Sequence, residues 1–193
     1  MKTLYLLRHA KSGWDDPVVR DFDRPLNRKG HRAAEAMGRR MQALHLRFDA
    51  AIASPARRVH ETIESIEAGL GETLEADFDR RIYLAPAAVL LDVIHGAPAG
   101  ADSLLLIGHN PGLEELVLLL VPDRAQHAAS DAERDKVEEK YPTASLAEIR
   151  IDVGDWPSVA PGSGTLMRFV RPRDLDPALG PDHAPAWDFS RND

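Results

Sequence analysis

Three times along the chain a short apolar run stops on a polar or cationic residue and gives way to a helical pattern. Residues 3–7 run into Arg8-His9, residues 49–53 into Ser54, and residues 103–107 into Gly108-His109. Short apolar runs without strict alternation read as strands buried on both faces. The stretches between them carry apolar residues at helical spacing. Residues 30–46 hold Ala33, Ala34, Met37, Met41 and Leu44, and residues 54–70 hold Val59, Ile63, Ile66 and Leu70. Strands that alternate with helices commit the chain to the α/β class: three layers, α/β/α, around a mostly parallel central sheet. Ligands of such sheets bind beyond the carboxyl ends of the strands. Chemistry is therefore expected at Arg8-His9, at residues 54–58 and at His109-Asn110.

The remaining pattern fills in this scheme. Residues 11–27 hold Gly13, Pro17 and Pro25 and read as a loop. Ser54 is predicted to cap the second helix with Pro55 at its first position, and Asn110-Pro111 repeats that start ahead of residues 113–121. A strand is expected over residues 74–78, and a helix over residues 86–94 that stops at His95-Gly96. Residues 129–141 are strongly charged and predict a solvated helix, and residues 123–140 are the one sizeable stretch for a lid. Strands follow at 146–153 and 165–170. After Pro172 proline and aspartate dominate, so the expectation is one domain over residues 1–175 and a surface tail over 176–193.

Composition removes several classes of function. The 193 residues are 44% hydrophobic, enough for one domain with a sizeable core. There is no cysteine, which excludes disulfides, cysteine nucleophiles and cysteine-ligated zinc. A net charge of -7 argues against a nucleic-acid partner. The apolar N-terminal run is too short for a secretion signal, and residues 113–121 carry Glu114 and Glu115 and fall short of a membrane span. A soluble cytoplasmic protein with no membrane partner is expected.

The strand-end segments bring together cations and imidazoles. Arginine forks match phosphate oxygens in pairs and stay charged, and helix N-termini favour anions. Neighbouring arginines penalise imidazolium and so lower a histidine pKa, which keeps an imidazole neutral and nucleophilic. His9 is then able to attack phosphorus, with a covalent phosphohistidine splitting the reaction in two. Arg57 and Arg58 separate by helical angle. Arg57 points away from the face of Val59, Ile63 and Ile66, whereas Arg58 flanks it in line with Ser54 and Thr62. Arg58 is assigned to the pocket and Arg57 to solvent.

These residues carry a resemblance. Leu4-Tyr5-Leu6-Leu7-Arg8-His9-Ala10-Lys11-Ser12 resembles the signature of the histidine phosphatase superfamily. Ser54-Pro55-Ala56-Arg57-Arg58-Val59-His60-Glu61-Thr62 is similar to its second motif, and Gly108-His109-Asn110-Pro111-Gly112 to its third. Arg24-Pro25-Leu26 with Gly30 is similar to its helix lead-in. Pro142-Thr143 and Arg171-Pro172-Arg173-Asp174-Leu175 resemble the small SixA-type phosphohistidine phosphatases. The resemblance implies a phosphoglycerate mutase-like fold and a phosphate pocket of Arg8, His9, Arg58 and His109, with no metal and no cofactor. It implies a phosphorylated protein or a small phosphorylated molecule as substrate. Ser12, Asp15 and Asn110 are secondary candidates for substrate contact.

One departure bears on substrate. Wider relatives carry a proton-donating carboxylate near the end of the third strand, and Arg81 stands at the matching position here. Asp79 lies close by and is the candidate general acid. Alkoxide leaving groups gain about a hundred- to ten-thousandfold from protonation, whereas a phosphoramidate needs less help, so phosphohistidine on a protein is the expected substrate. The alternatives are a small-molecule phosphomonoesterase, a mutase-like enzyme, or a catalytically silent phosphate-binding protein. A metal hydrolase would need a second histidine at ligand spacing from His60-Glu61, which the sequence lacks. His31, His45, His127 and His183 are expected at the surface, His60 turned away from Arg58, and His95 at a helix C-terminus.

Overall fold

The computed structural model describes residues 1–13, 20–123 and 128–181, and of residues 128–131 the backbone alone. Asp15, His127 and His183 lie outside the described residues. Six strands form one sheet in the order β3-β2-β4-β1-β5-β6. The strands are β1 (Lys2–Arg8), β2 (Ala50–Ala53), β3 (Ala76–Phe78), β4 (Ser103–Gly108), β5 (Leu146–Ile151) and β6 (Gly164–Val170). β3, β2, β4 and β1 pair in parallel, and β5 runs antiparallel to both β1 and β6. Only β5 therefore opposes the common direction, and the sheet is mostly parallel as expected.

Alternate residues of the central strands feed two cores. Leu4, Leu6, Leu104 and Leu106 face one side, and Tyr5, Leu7, Leu105 and Ile107 face the other. The first face is covered by α3 (Ala87–His95), α4 (Gly112–Leu120) and part of α5 (Ala128–Glu139). The second is covered by α1 (Arg28–Ala43) and α2 (Arg57–Leu70), completing three layers. α1 and α2 cross closely because each contributes a glycine. A Cβ on Gly38 would lie 2.2 Å from the Ile66 carbonyl oxygen, and one on Gly69 2.1 Å from that of Glu35. Among the described residues no helix is long and apolar enough to cross a membrane.

Several local expectations are corrected. α2 begins at Arg57 with Ala56 as its cap, so Ser54 and Pro55 precede the helix rather than start it. α4 likewise starts one residue later than expected, with Pro111 in the cap position and no side-chain cap. α5 is not solvated all round. Val137 and Tyr141 behind it are fully buried, Glu133 accepts from the Phe169 amide at 2.9 Å, and Arg134 donates to the Val121 carbonyl. This segment is packed onto β6 at its described residues. The packing also continues past Leu175: a short helix α6 (Pro172–Leu175) and a following turn lead to Leu179, which is buried beside α1 and α2. His31 and His45 are exposed as expected, and His60 is exposed and stacks on Phe78. His95 ends α3 and bonds the Val159 carbonyl.

Candidate active site

Register sets the centre of the site. β1 and β4 are parallel neighbours with Arg8 opposite Gly108, so the next residues, His9 and His109, emerge side by side. Their ring centroids are 5.1 Å apart. β2 pairs Ala53 with Ile107 and delivers Ser54 next to them. The Ser54 amide donates to the Ile107 carbonyl, and the His9 amide to that of Gly108. Ser54, Arg58 and His109 are at most 2% exposed, and His9 is buried. The loop after His9 rests on the start of α1, where Gly30 permits it: a Cβ there would lie 2.1 Å from the Lys11 carbonyl oxygen. Thr62 ties this loop to α2, accepting from the Ala10 amide at 2.9 Å while donating to the Arg58 carbonyl at 2.5 Å.

The Arg58 guanidinium lies between the two imidazoles. Its Nε is 3.4 Å from His9 Nε2 and its Nη2 3.2 Å from His109 Nδ1. An arginine only donates, which assigns both ring nitrogens as acceptors. His9 Nδ1–H then donates to the Ala10 carbonyl at 2.7 Å, which leaves Nε2 unprotonated with its one lone pair toward the Arg58 Nε–H. His109 Nε2–H donates to Ser54 Oγ at 2.7 Å. Burial first, then the neighbouring His109, Arg58 and Arg8, push the His9 pKa well below 6.5, outweighing the Ala10 bond that raises it. Burial, Arg58 and Arg8 lower that of His109 to about 3, against an opposing effect of Asp21. Both rings are neutral at physiological pH.

The other sequence-assigned residues fall in different places. Arg8 donates through Nη1 to the Tyr141 carbonyl at 2.6 Å, and its Nε is buried without a hydrogen-bond partner. Arg57 points to solvent and pairs with Glu61, as its helical angle predicts. Asn110 donates to Glu114 at 2.9 Å and, at 3.4 Å, to the same Tyr141 carbonyl that Arg8 holds. Ser12 forms an isolated β-bridge with Leu26. Asp79 caps the turn at Arg80–Ile82, and its carboxylate forks onto Arg81, whose hydrogen bonds hold it below the usual carboxylate range.

Two neighbours of Arg58, Asp21 and Tyr83, carry no sequence signal. Asp21 accepts from Arg58 twice, at its carbonyl (2.6 Å) and its carboxylate (3.1 Å). Tyr83 donates to the same carboxylate at 2.6 Å, and its ring lies edge-on to His109. Arg24 pairs with Asp21 at 3.1 Å. Burial raises the Asp21 carboxyl, but Tyr83, Arg58 and Arg24 outweigh it and the net shift is downward. Asp21 opens a short 3-10 turn (Asp21–Asp23) remote from Arg58 in sequence, so no spacing rule marks it. Ser54 was seen as a cap; its hydroxyl instead holds His109.

Two buried histidines at parallel strand ends, bridged by a buried arginine from the next helix, match a known family. Residues 4–82 match the model of the histidine phosphatase superfamily, branch 1. A relative in Mycobacterium tuberculosis, itself described as uncharacterized, is 34% identical over 167 residues, 86% of this chain and all of the relative. The chain belongs to the histidine phosphatase superfamily. Among solved structures it is similar to a protein assigned as the phosphohistidine phosphatase SixA from Agrobacterium tumefaciens. That match has a TM-score of 0.70 and 27% identity, over 88% of this chain and 97% of the other. A protein with the same assignment from Nakamurella multipartitia gives a TM-score of 0.72 at 27% identity, over 89% and 96%. The fold is the phosphoglycerate mutase-like one, and the chain is SixA-like within its superfamily.

Proposed function

We propose that this histidine phosphatase hydrolyses phosphohistidine on a protein, through a covalent phosphoryl group on His9. The observation that carries the reading is the Arg58 guanidinium placed between two neutral imidazoles, 3.4 Å from His9 Nε2 and 3.2 Å from His109 Nδ1. An entering phosphoryl group takes over the Arg58 N–H groups and frees the Nε2 lone pair; the neutral Nε2 attacks phosphorus, the bond from phosphorus to the leaving nitrogen breaks, and that nitrogen keeps the electron pair. Arg58 and Arg8 neutralise the oxygens on which charge accumulates. His109 joins them once its proton moves to Nδ1; the Ser54 hydroxyl supports either tautomer because it donates as well as accepts. Water then attacks phosphorus, and the P–Nε2 bond breaks to return neutral His9 and inorganic phosphate.

The choice of leaving group follows from the carboxylates. Asp79 is tied to Arg81 and Asp21 is held ionised by Tyr83, Arg58 and Arg24, so neither supplies a proton near neutral pH. A phosphorylated imidazole protonated on its free nitrogen departs as a neutral ring and requires no acid, whereas an alkoxide does. The test compares phosphate release from a phosphohistidine-bearing protein and from an alkyl phosphate, in EDTA. Faster release from phosphohistidine is expected. Efficient alkyl phosphate hydrolysis with phosphohistidine left intact would sink the substrate assignment.

A further inference from the structure

Three residues that follow or touch the phosphoryl site also build a cavity next to it. Phe22, Pro55 and Tyr83, with Arg80, line a space of about 320 Å³. Pro55 follows Ser54, which holds His109, and Phe22 follows Asp21, which accepts from Arg58. Tyr83 belongs to both places. Its ring centroid is 5.4 Å from that of His109 and 5.8 Å from the Arg58 guanidinium carbon, and the same ring lines the cavity. The cavity therefore lies beside the site of the reacting phosphoryl group.

The walls specify the occupant. Tyr83 is fixed from three sides: its hydroxyl donates to Asp21 at 2.6 Å, Phe22 meets it edge-on with centroids 5.1 Å apart, and His109 meets it at 86°. A ring held this way loses little further side-chain freedom when a ligand packs on it. Phe22, Pro55 and Tyr83 are half-buried, so each keeps surface open to the cavity. Such walls favour a flat ring, which gains both burial and an aromatic pair from them. A serine leaving group brings a single methylene and leaves them wet. Arg80 stands exposed at the rim, where water and salt screen its charge. The volume is at the lower end of the range for ligand clefts, about 300–1,000 Å³, which suits one ring rather than a large cofactor. Among side chains that carry a phosphoryl group on nitrogen, histidine is the one with an aromatic ring.

We infer that this cavity is the leaving-group subsite and receives the imidazole ring of the substrate's phosphohistidine, which rests on the phosphohistidine reading above. The ring packs against Phe22, Pro55 and Tyr83 while its phosphoryl group lies at His9 and Arg58. Phe22 is then a specificity-determining residue: it rewards a leaving group with a ring over one without.

The test compares phosphoimidazole with phosphoramidate, in which the same P–N bond breaks without a ring, using the full chain as wild type, Phe22→Leu and Tyr83→Phe. Both substrates are read on one sample, so any loss of folded protein cancels in the ratio of kcat/KM. Phe22→Leu is expected to lower the phosphoimidazole-to-phosphoramidate ratio about fivefold, the scale of one aromatic pair. Tyr83→Phe keeps the ring and is expected to keep the ratio. In wild type alone, phenylphosphonate is expected to inhibit about tenfold more strongly than methylphosphonate, because only the first fills the cavity. A ratio unmoved by Phe22→Leu, a ratio lowered as far by Tyr83→Phe, or equal inhibition by the two phosphonates overturns the subsite and leaves the phosphohistidine reading standing. A ratio lowered by Phe22→Leu, with a phosphohistidine-bearing protein left intact by wild type, overturns that reading and the imidazole as occupant.

Discussion

Replacing Ser54 with alanine separates two roles for that hydroxyl. If Ser54 caps α2, Ser54→Ala lowers stability by about 1 kcal/mol and leaves kcat alone. The structure gives another result. Ser54 Oγ is 2.7 Å from His109 Nε2, and both residues are buried. Removing the hydroxyl strands a buried N–H, at about 1–3 kcal/mol. It also removes the partner that lets His109 carry its proton on Nδ1 in the transition state. Borne by the transition state, that loss is about 5- to 150-fold in kcat, since each 1.4 kcal/mol is about a factor of ten. Steady-state kinetics on an aryl phosphate, with denaturant unfolding of the same samples, measures both quantities. A variant with wild-type kcat and lowered stability would refute the placement of Ser54 as the residue that orients His109.

Other outcomes follow from the same geometry. Arg58→Lys keeps a charge but loses the planar fork that reaches His9, His109 and Asp21, so kcat/KM should fall about a hundred- to a thousandfold in steady-state assays. The histidines titrate below their unfolded value of about 6.5, so the unfolded chain binds more protons under that pH. Stability is full above about 6.5 and declines below it by about 1.4 kcal/mol per pH unit for each of His9 and His109, continuing for His109 to about 3. Denaturant midpoints between pH 7 and 5.5 check this, and kcat/KM should show no acid limb near 6.5. Gly38→Ala drives a Cβ to 2.2 Å from the Ile66 carbonyl oxygen and should cost about 1–3 kcal/mol of stability by denaturant unfolding.

The sequence exposed the frame of the site because register does the positioning. Arg8-His9 and Gly108-His109 follow apolar runs that pair directly, so reading the strands already placed the two imidazoles together. Arg58 was legible from helical angle alone. What stayed hidden is held by contacts between distant segments. Asp21 and Tyr83 meet Arg58 from two separate short turns, and no local period encodes such a meeting. Ser54 carried a misleading local signal: a serine before proline fits a helix cap, but the Ser54 amide bonds back to Ile107 and its hydroxyl is committed to His109. Asp79 sat close in sequence to the expected acid but is drawn off by Arg81, two residues away. The charged stretch around α5 hid Val137 and Tyr141, two buried residues among many solvated ones.

The most direct test is whether His9 becomes phosphorylated during turnover. Wild type and His9→Ala are mixed with a phosphohistidine-bearing protein, quenched under alkaline conditions that preserve phosphoramidates, and digested for mass spectrometry. The account predicts a phosphoryl group on His9 within the first turnover and decaying as phosphate is released. It also predicts neither adduct nor phosphate with His9→Ala, whose circular dichroism remains that of the folded protein. Phosphate release by a folded His9→Ala variant at a near-normal rate would contradict it.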